Sequence, residues 1–192
     1  MKNNLPQNKR ALTWLSGAHF VNDVYTGVLN PIMPFIAAKI GISMAIATVV
    51  LTVSHVFSSL MQPLFGFFAD NIEKRSFIFW GLILSSIFIP LSAQAGNVYL
   101  LILFICIGCV GSSLFHPQAL GLTSRISKGL DETKAMAIFL AMGTLGYSTG
   151  PIVSSAITQF VGLNKMPIMS VLGIFWAFYM FKIVPKISVL HD

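Results

Sequence analysis

The sequence predicts an all-α membrane protein, a bundle of six transmembrane helices. Two observations carry this. Hydrophobic residues make up 55% of the chain and charged residues only 9%, with a mean hydropathy of +0.80, whereas soluble domains carry about 25% charged residues. The apolar residues also fall into six runs separated by charge, Gly or Pro, each close to the ~20 helical residues that cross a bilayer core. Ten of the twelve Lys and Arg lie on one side of these runs, and only Lys39 and Lys165 on the other. The positive-inside rule then places both termini in the cytoplasm, and an even number of spans agrees with their sharing a side.

The first run, residues 11–38, is the least ordinary. It carries His19, Asn22, Asp23, Thr26 and Asn30, and residues 19, 23, 26 and 30 follow one another at helical spacing on one face. Asp23 falls near mid-membrane, where an acid costs roughly 2.5–3.5 kcal/mol on insertion scales and so faces protein or water rather than lipid. Its role is either in a polar pathway or as a buried hydrogen-bonding group between helices. The apolar run is too long for a cleaved signal peptide, so an uncleaved first span is expected.

The second run, 43–69, places Thr52, His55, Ser59 and Gln62 on one face. The third, 76–95, and the sixth, 166–184, hold little beyond Ser and aromatic residues. The fourth, 97–123, aligns Cys109, Ser113 and His116, with Ser112 alongside; the fifth, 135–162, aligns Thr144, Ser148 and Ser155 beside Gly143, Gly146 and Gly150. Polar residues in a span must find partners or water, and small ones let helices approach closely. Runs one, two, four and five are therefore expected to line a cavity or interface, with three and six facing lipid. Pro31, Pro34, Pro63, Pro90, Pro117 and Pro151 lie inside the spans and permit bends there. Cys106 and Cys109 form a CxxC in an apolar helix with no second pair, which reads as helix packing. Residues 1–10 and 185–192 read as cytoplasmic tails around a transmembrane domain at 11–184. The basic residues sit in membrane-orienting loops, so nucleic acid is not an expected partner.

GFFADNIEKR, Gly66 to Arg75, resembles the cytoplasmic loop motif of the major facilitator superfamily, with Gly66, Asp70, Lys74 and Arg75 in the matching places and Glu73 where Gly is usual. GTLGYSTGP, Gly143 to Pro151, resembles the fifth-span motif of proton-coupled exporters through Gly143, Gly146, Gly150 and Pro151; a plain small-residue packing face is the other reading of that stretch. Within the superfamily, GAHFVNDVYTG, LTVSHVFSSLMQPLFGFFAD and GSSLFHPQALG resemble fosmidomycin-resistance-type exporters, with Gln118 where that group often has Glu. The resemblance covers nearly the whole chain but one half of the family's length. It implies one six-helix (3+3 repeat) half of the major facilitator fold in a bacterial inner membrane.

It also implies a transporter rather than an enzyme, exporting a small drug-like or metabolite substrate in exchange for protons. No cofactor and no metal are expected. A proton and substrate pathway would run along His19, Asn22, Asp23, Asn30, His116 and Gln118, with Gly66, Asp70, Lys74 and Arg75 as a cytoplasmic gate. A second six-helix half, or self-association, would complete the transporter. From the residues alone, three other classes stay open: a self-assembling channel, an inactive truncated transporter, and an intramembrane metalloenzyme using His19, Asp23, His55 and His116.

Overall fold

A computed structural model of the chain describes residues 5–68, 74–128 and 130–183. It contains six helices: α1 (Leu5–Ile40), α2 (Met44–Phe68), α3 (Lys74–Leu91), α4 (Val98–Ser127), α5 (Glu132–Phe160) and α6 (Ser170–Ile183). Short 3-10 turns at Ser92–Gln94 and Leu163–Met169 follow α3 and precede α6. No strand occurs among the described residues.

Local chemistry sets the helix ends. α1 closes at Gly41 and α5 at Gly162, both with positive φ. Their amides bond back to the carbonyls of Ala37 and Ile157, a conformation that glycine adopts without a Cβ penalty. Asn97 caps α4 by accepting from the Leu100 amide, and Asp131 caps α5 by accepting from the Lys134 amide, each satisfying a first-turn donor that the helix leaves free. Pro31, Pro34, Pro63, Pro90, Pro117 and Pro151 all lie within continuous helix. α1 starts at Leu5, upstream of the expected Ala11, with Pro6 tolerated in its first turn.

Five helical segments are long and apolar enough to cross a membrane, and α1 is the exception. It is long enough, at 36 residues, but its mid-span polar residues lower its hydropathy. It is instead the interior helix: Leu15, Ala18, Val21, Tyr25, Val28, Ile32 and Ile36 are all buried, and it packs on each of the other five helices. The α1–α5 seam is closest. A Cβ at Gly146 would meet the Phe20 carbonyl, one at Gly150 the Val24 carbonyl, and one at Gly27 the Tyr147 carbonyl. The glycine run of the fifth span thus lets two backbones touch, which is how helices gain van der Waals contact in lipid.

α3 departs from the expectation that it faces lipid. Half of its most apolar stretch is buried, against 17% for α2. Ile78, Leu82, Ser85 and Ile89 form a buried stripe facing α1 and α4. α6 matches the expectation better: Val171, Phe175 and Phe178 are exposed, while Gly173, Ala177 and Met180 turn inward. Lys39, at the sparsely charged end, is held by the Ala93 carbonyl and the Asn164 side chain.

The interior is layered. One apolar cluster contains Leu15, Ile78, Leu82, Phe115, Leu122 and Phe139. A second contains Tyr25, Ile32, Ile36, Ile89, Ile105 and Met166. Between the two on α1, α3 and α4 lie His19, Asn22, Asp23, Ser85, Ser112 and His116. Of these, Asn22, Ser85 and Ser112 are buried and must satisfy one another or their neighbours.

Candidate functional site: an Asp–His cluster beside a cavity

Asp23, the residue that α1 carries to mid-span, sits between two imidazoles. Its Oδ2 lies 3.3 Å from His19 Nε2, one turn back on the same helix, and its Oδ1 lies 3.1 Å from His116 Nε2 on α4. The other ring nitrogen of each histidine is fixed by a backbone carbonyl: His19 Nδ1 by Phe139 O on α5 at 2.8 Å, and His116 Nδ1 by Ser112 O at 2.8 Å. Phe139 also stacks its ring on His19 at 4.2 Å. The cluster thus ties α1 to both α4 and α5.

Asn22 supports it from the next position. Its Nδ2 donates to Asp23 Oδ1 at 3.0 Å and to Ser112 Oγ at 3.3 Å, while its Oδ1 accepts from Ser85 Oγ at 2.9 Å. Asn22 and Ser85 are fully buried. Gly143 closes the α5 side, because a Cβ there would lie against the His19 ring and 2.9 Å from Asp23 Oδ2. His19 and His116 form part of the wall of a cavity of about 470 Å³, together with residues of α2, α4 and α5 such as Ser59, Gln62, Pro63 and Leu120. Helices one, two, four and five line it, the first, second and fourth partly through residues of their polar faces and the fifth through Phe139 and Leu140 rather than Thr144, Ser148 or Ser155.

The structure therefore brings together four of the pathway residues, His19, Asn22, Asp23 and His116. Asn30 lies apart, donating to Tyr147 Oη at 3.4 Å. Gln118 is buried and donates to the Phe65 carbonyl at 3.2 Å, joining α4 to α2. Of the loop motif, Asp70 lies outside the described residues, Lys74 opens α3, and Gly66 lines the cavity. Arg75 donates to the Phe181 carbonyl at 3.1 Å and lies 4.2 Å over that ring, tying the start of α3 to the end of α6.

Sequence reasoning did not single out Ser85 or Tyr25. Tyr25 Oη donates to the Met169 carbonyl at 2.6 Å and accepts from the Gly173 amide at 2.9 Å, joining α1 to α6. Cys106 and Cys109 are both free. His19, Asp23 and His116 are the group among the described residues whose donor atoms, all within 4.8 Å of one another, could hold a metal ion. His55, on the exposed face of α2, is not in it.

Comparison with known proteins agrees with this architecture. The chain is 28% identical over 153 residues to the fosmidomycin resistance protein of Escherichia coli K12, covering 79% of this chain and 37% of that one. It is 23% identical over 192 residues to MdtD of Salmonella paratyphi B, named for multidrug resistance, covering 96% of this chain and 40% of that one. The chain spans about two fifths of the length of these relatives. A crystal structure of the peptide transporter POT shares the fold at a TM-score of 0.76 and 18% identity, over 90% of this chain and 38% of that chain. The sequence profile of the Major Facilitator Superfamily matches residues 15–190, and the chain, an integral membrane protein, belongs to that family of transporters.

Proposed function

We propose that this chain is the N-terminal six-helix unit of an exporter that exchanges a small drug-like or metabolite substrate for protons. The observation that carries the reading is Asp23, held at mid-span between two imidazoles that themselves line a cavity of about 470 Å³. Intramembrane acids facing a bundle interior mark ion pathways in transporters. Here the carboxylate bonds to side chains whose partners belong to α4 and α5, so adding or removing a proton changes the contacts that hold α1 to both helices. A proton shifts a conformational equilibrium only by such differential interaction. The names of the relatives support export.

By the charge bias of the sequence both termini lie in the cytoplasm of a bacterial inner membrane, and Gly66, near the loop that follows α2 on that side, lines the cavity. Gly66, Asp70, Lys74 and Arg75 form the gate there, and the Gly143–Pro151 stretch is the hinge seam of α5. A second six-helix unit, supplied separately or as another copy, completes the substrate site at the interface between halves.

The test is drug accumulation in sensitive bacteria expressing the chain, with fosmidomycin as the probe. Expression lowers intracellular fosmidomycin, and a protonophore that abolishes the proton gradient restores it. Accumulation that is unchanged by expression, or reduced equally with and without the gradient, contradicts the proposal.

A further inference from the structure

The hydrogen-bond geometry fixes how many protons the cluster needs, which goes beyond the proposed exchange and rests on it. A carbonyl oxygen only accepts. Phe139 O at 2.8 Å from His19 Nδ1 and Ser112 O at 2.8 Å from His116 Nδ1 therefore require a hydrogen on both Nδ1 atoms. The Ser112 hydroxyl, at 3.2 Å from His116 Nδ1, is the longer contact and does not reverse this. A neutral imidazole carries one N–H, so both Nε2 atoms are bare in the neutral rings. Each bare nitrogen then faces a different oxygen of the same carboxylate, at 3.3 and 3.1 Å. An ionised carboxylate also only accepts. With no further proton, both contacts set lone pair against lone pair.

We propose that the Asp23 cluster loads two protons, one in each imidazole–carboxylate contact, and that a full discharge releases both. Each proton is assigned to Nε2, so the loaded cluster is one carboxylate between two imidazoliums. With two protons the three side chains sum to +1, with one to zero, and with none to −1. Among the described residues no other charged side chain is paired with the group: α5 contributes the Phe139 carbonyl and the Gly143 surface, α3 the Ser85 hydroxyl through Asn22, and α2 presents Ser59 and Gln62 across the cavity. Asn22 cannot replace either proton, since its Nδ2 hydrogens go to Asp23 Oδ1 and Ser112 Oγ. One site thus titrates as a coupled pair.

The experiment is nitrogen NMR of the full chain, labelled at its four histidines and held in lipid nanodiscs, with His19 and His116 assigned by signal loss in His19→Asn and His116→Asn. In wild type at mildly acidic pH, both rings carry hydrogen on Nδ1 and Nε2, and at alkaline pH both become Nδ1–H tautomers. Asp23→Asn needs one proton fewer, because its amide donates to one bare nitrogen while its oxygen accepts from the other ring; a single imidazolium remains. A wild-type cluster with only one protonated Nε2 throughout overturns the count, as does an Nε2–H tautomer at alkaline pH. So does one zinc ion retained per chain after dialysis against zinc and lost in Asp23→Asn. A one-proton result leaves proton exchange itself standing, since that is read by drug accumulation.

Discussion

Replacing Gly143 by alanine tests whether the cluster is built against α5. The added Cβ would lie 2.5 Å from His19 Nε2 and 2.9 Å from Asp23 Oδ2, against an ordinary contact of about 3.5 Å. The ring must retreat by about 1 Å, or α5 must move. Movement of α5 is opposed by the contacts of Gly146 with Phe20 and of Gly150 with Val24 on the same seam. Overpacking of this kind costs about 1–3 kcal/mol. A retreating ring also gives up the 2.8 Å bond to Phe139 O and the 3.3 Å contact with Asp23, and a hydrogen bond to a charged group contributes about 1.5–3 kcal/mol. If only 1.4 kcal/mol of this falls on the state that exchanges protons, the rate drops about tenfold. Everted vesicles holding an acid interior provide the assay, with a fluorescent pH probe reporting how fast fosmidomycin dissipates the gradient. Gly143→Ala should slow dissipation at least tenfold at equal protein level, whereas Thr144→Ala, at an exposed neighbour bonded only within its helix, should not. Wild-type dissipation and thermal stability in Gly143→Ala would refute the close α1–α5 seam.

Two further outcomes follow from the buried hydroxyls. Tyr25→Phe removes the bonds to Met169 O and the Gly173 amide; it should lower stability by about 1–3 kcal/mol through the orphaned groups, read as earlier thermal aggregation in detergent, with exchange retained. Ser85→Ala removes the donor that orients the Asn22 amide, so exchange should slow while Ser86→Ala, whose hydroxyl bonds to Ile83 O, leaves it unchanged.

The six spans and the His19–Asp23 face were legible because charge is rare in the chain and helical spacing is rigid. That His116 of the fourth span meets Asp23 required tertiary structure, although both residues stood out as polar in apolar surroundings. The burial of α3 was not legible, for a physical reason. Lipid is as apolar as a protein core, so hydropathy does not distinguish an inward Ile78 or Leu82 from an outward one. The usable signal was Ser85, a small polar residue in step with Ile78, Leu82 and Ile89. Tyr25 was hidden likewise, since tyrosine in a span reads as an interfacial residue until its hydroxyl is seen to bridge α1 and α6. The fifth-span glycines had two readings, and the geometry gives their contacts: backbone against backbone, and Gly143 against the cluster itself.

The proposed exchange requires protons to reach and leave Asp23 in step with substrate movement. Its most direct measurement is fosmidomycin-driven dissipation of the pH gradient in everted vesicles carrying Asp23→Asn beside wild type. Wild type should dissipate the gradient and the variant should show none above background at matched protein level; dissipation by Asp23→Asn at the wild-type rate would rule out Asp23 as the proton carrier.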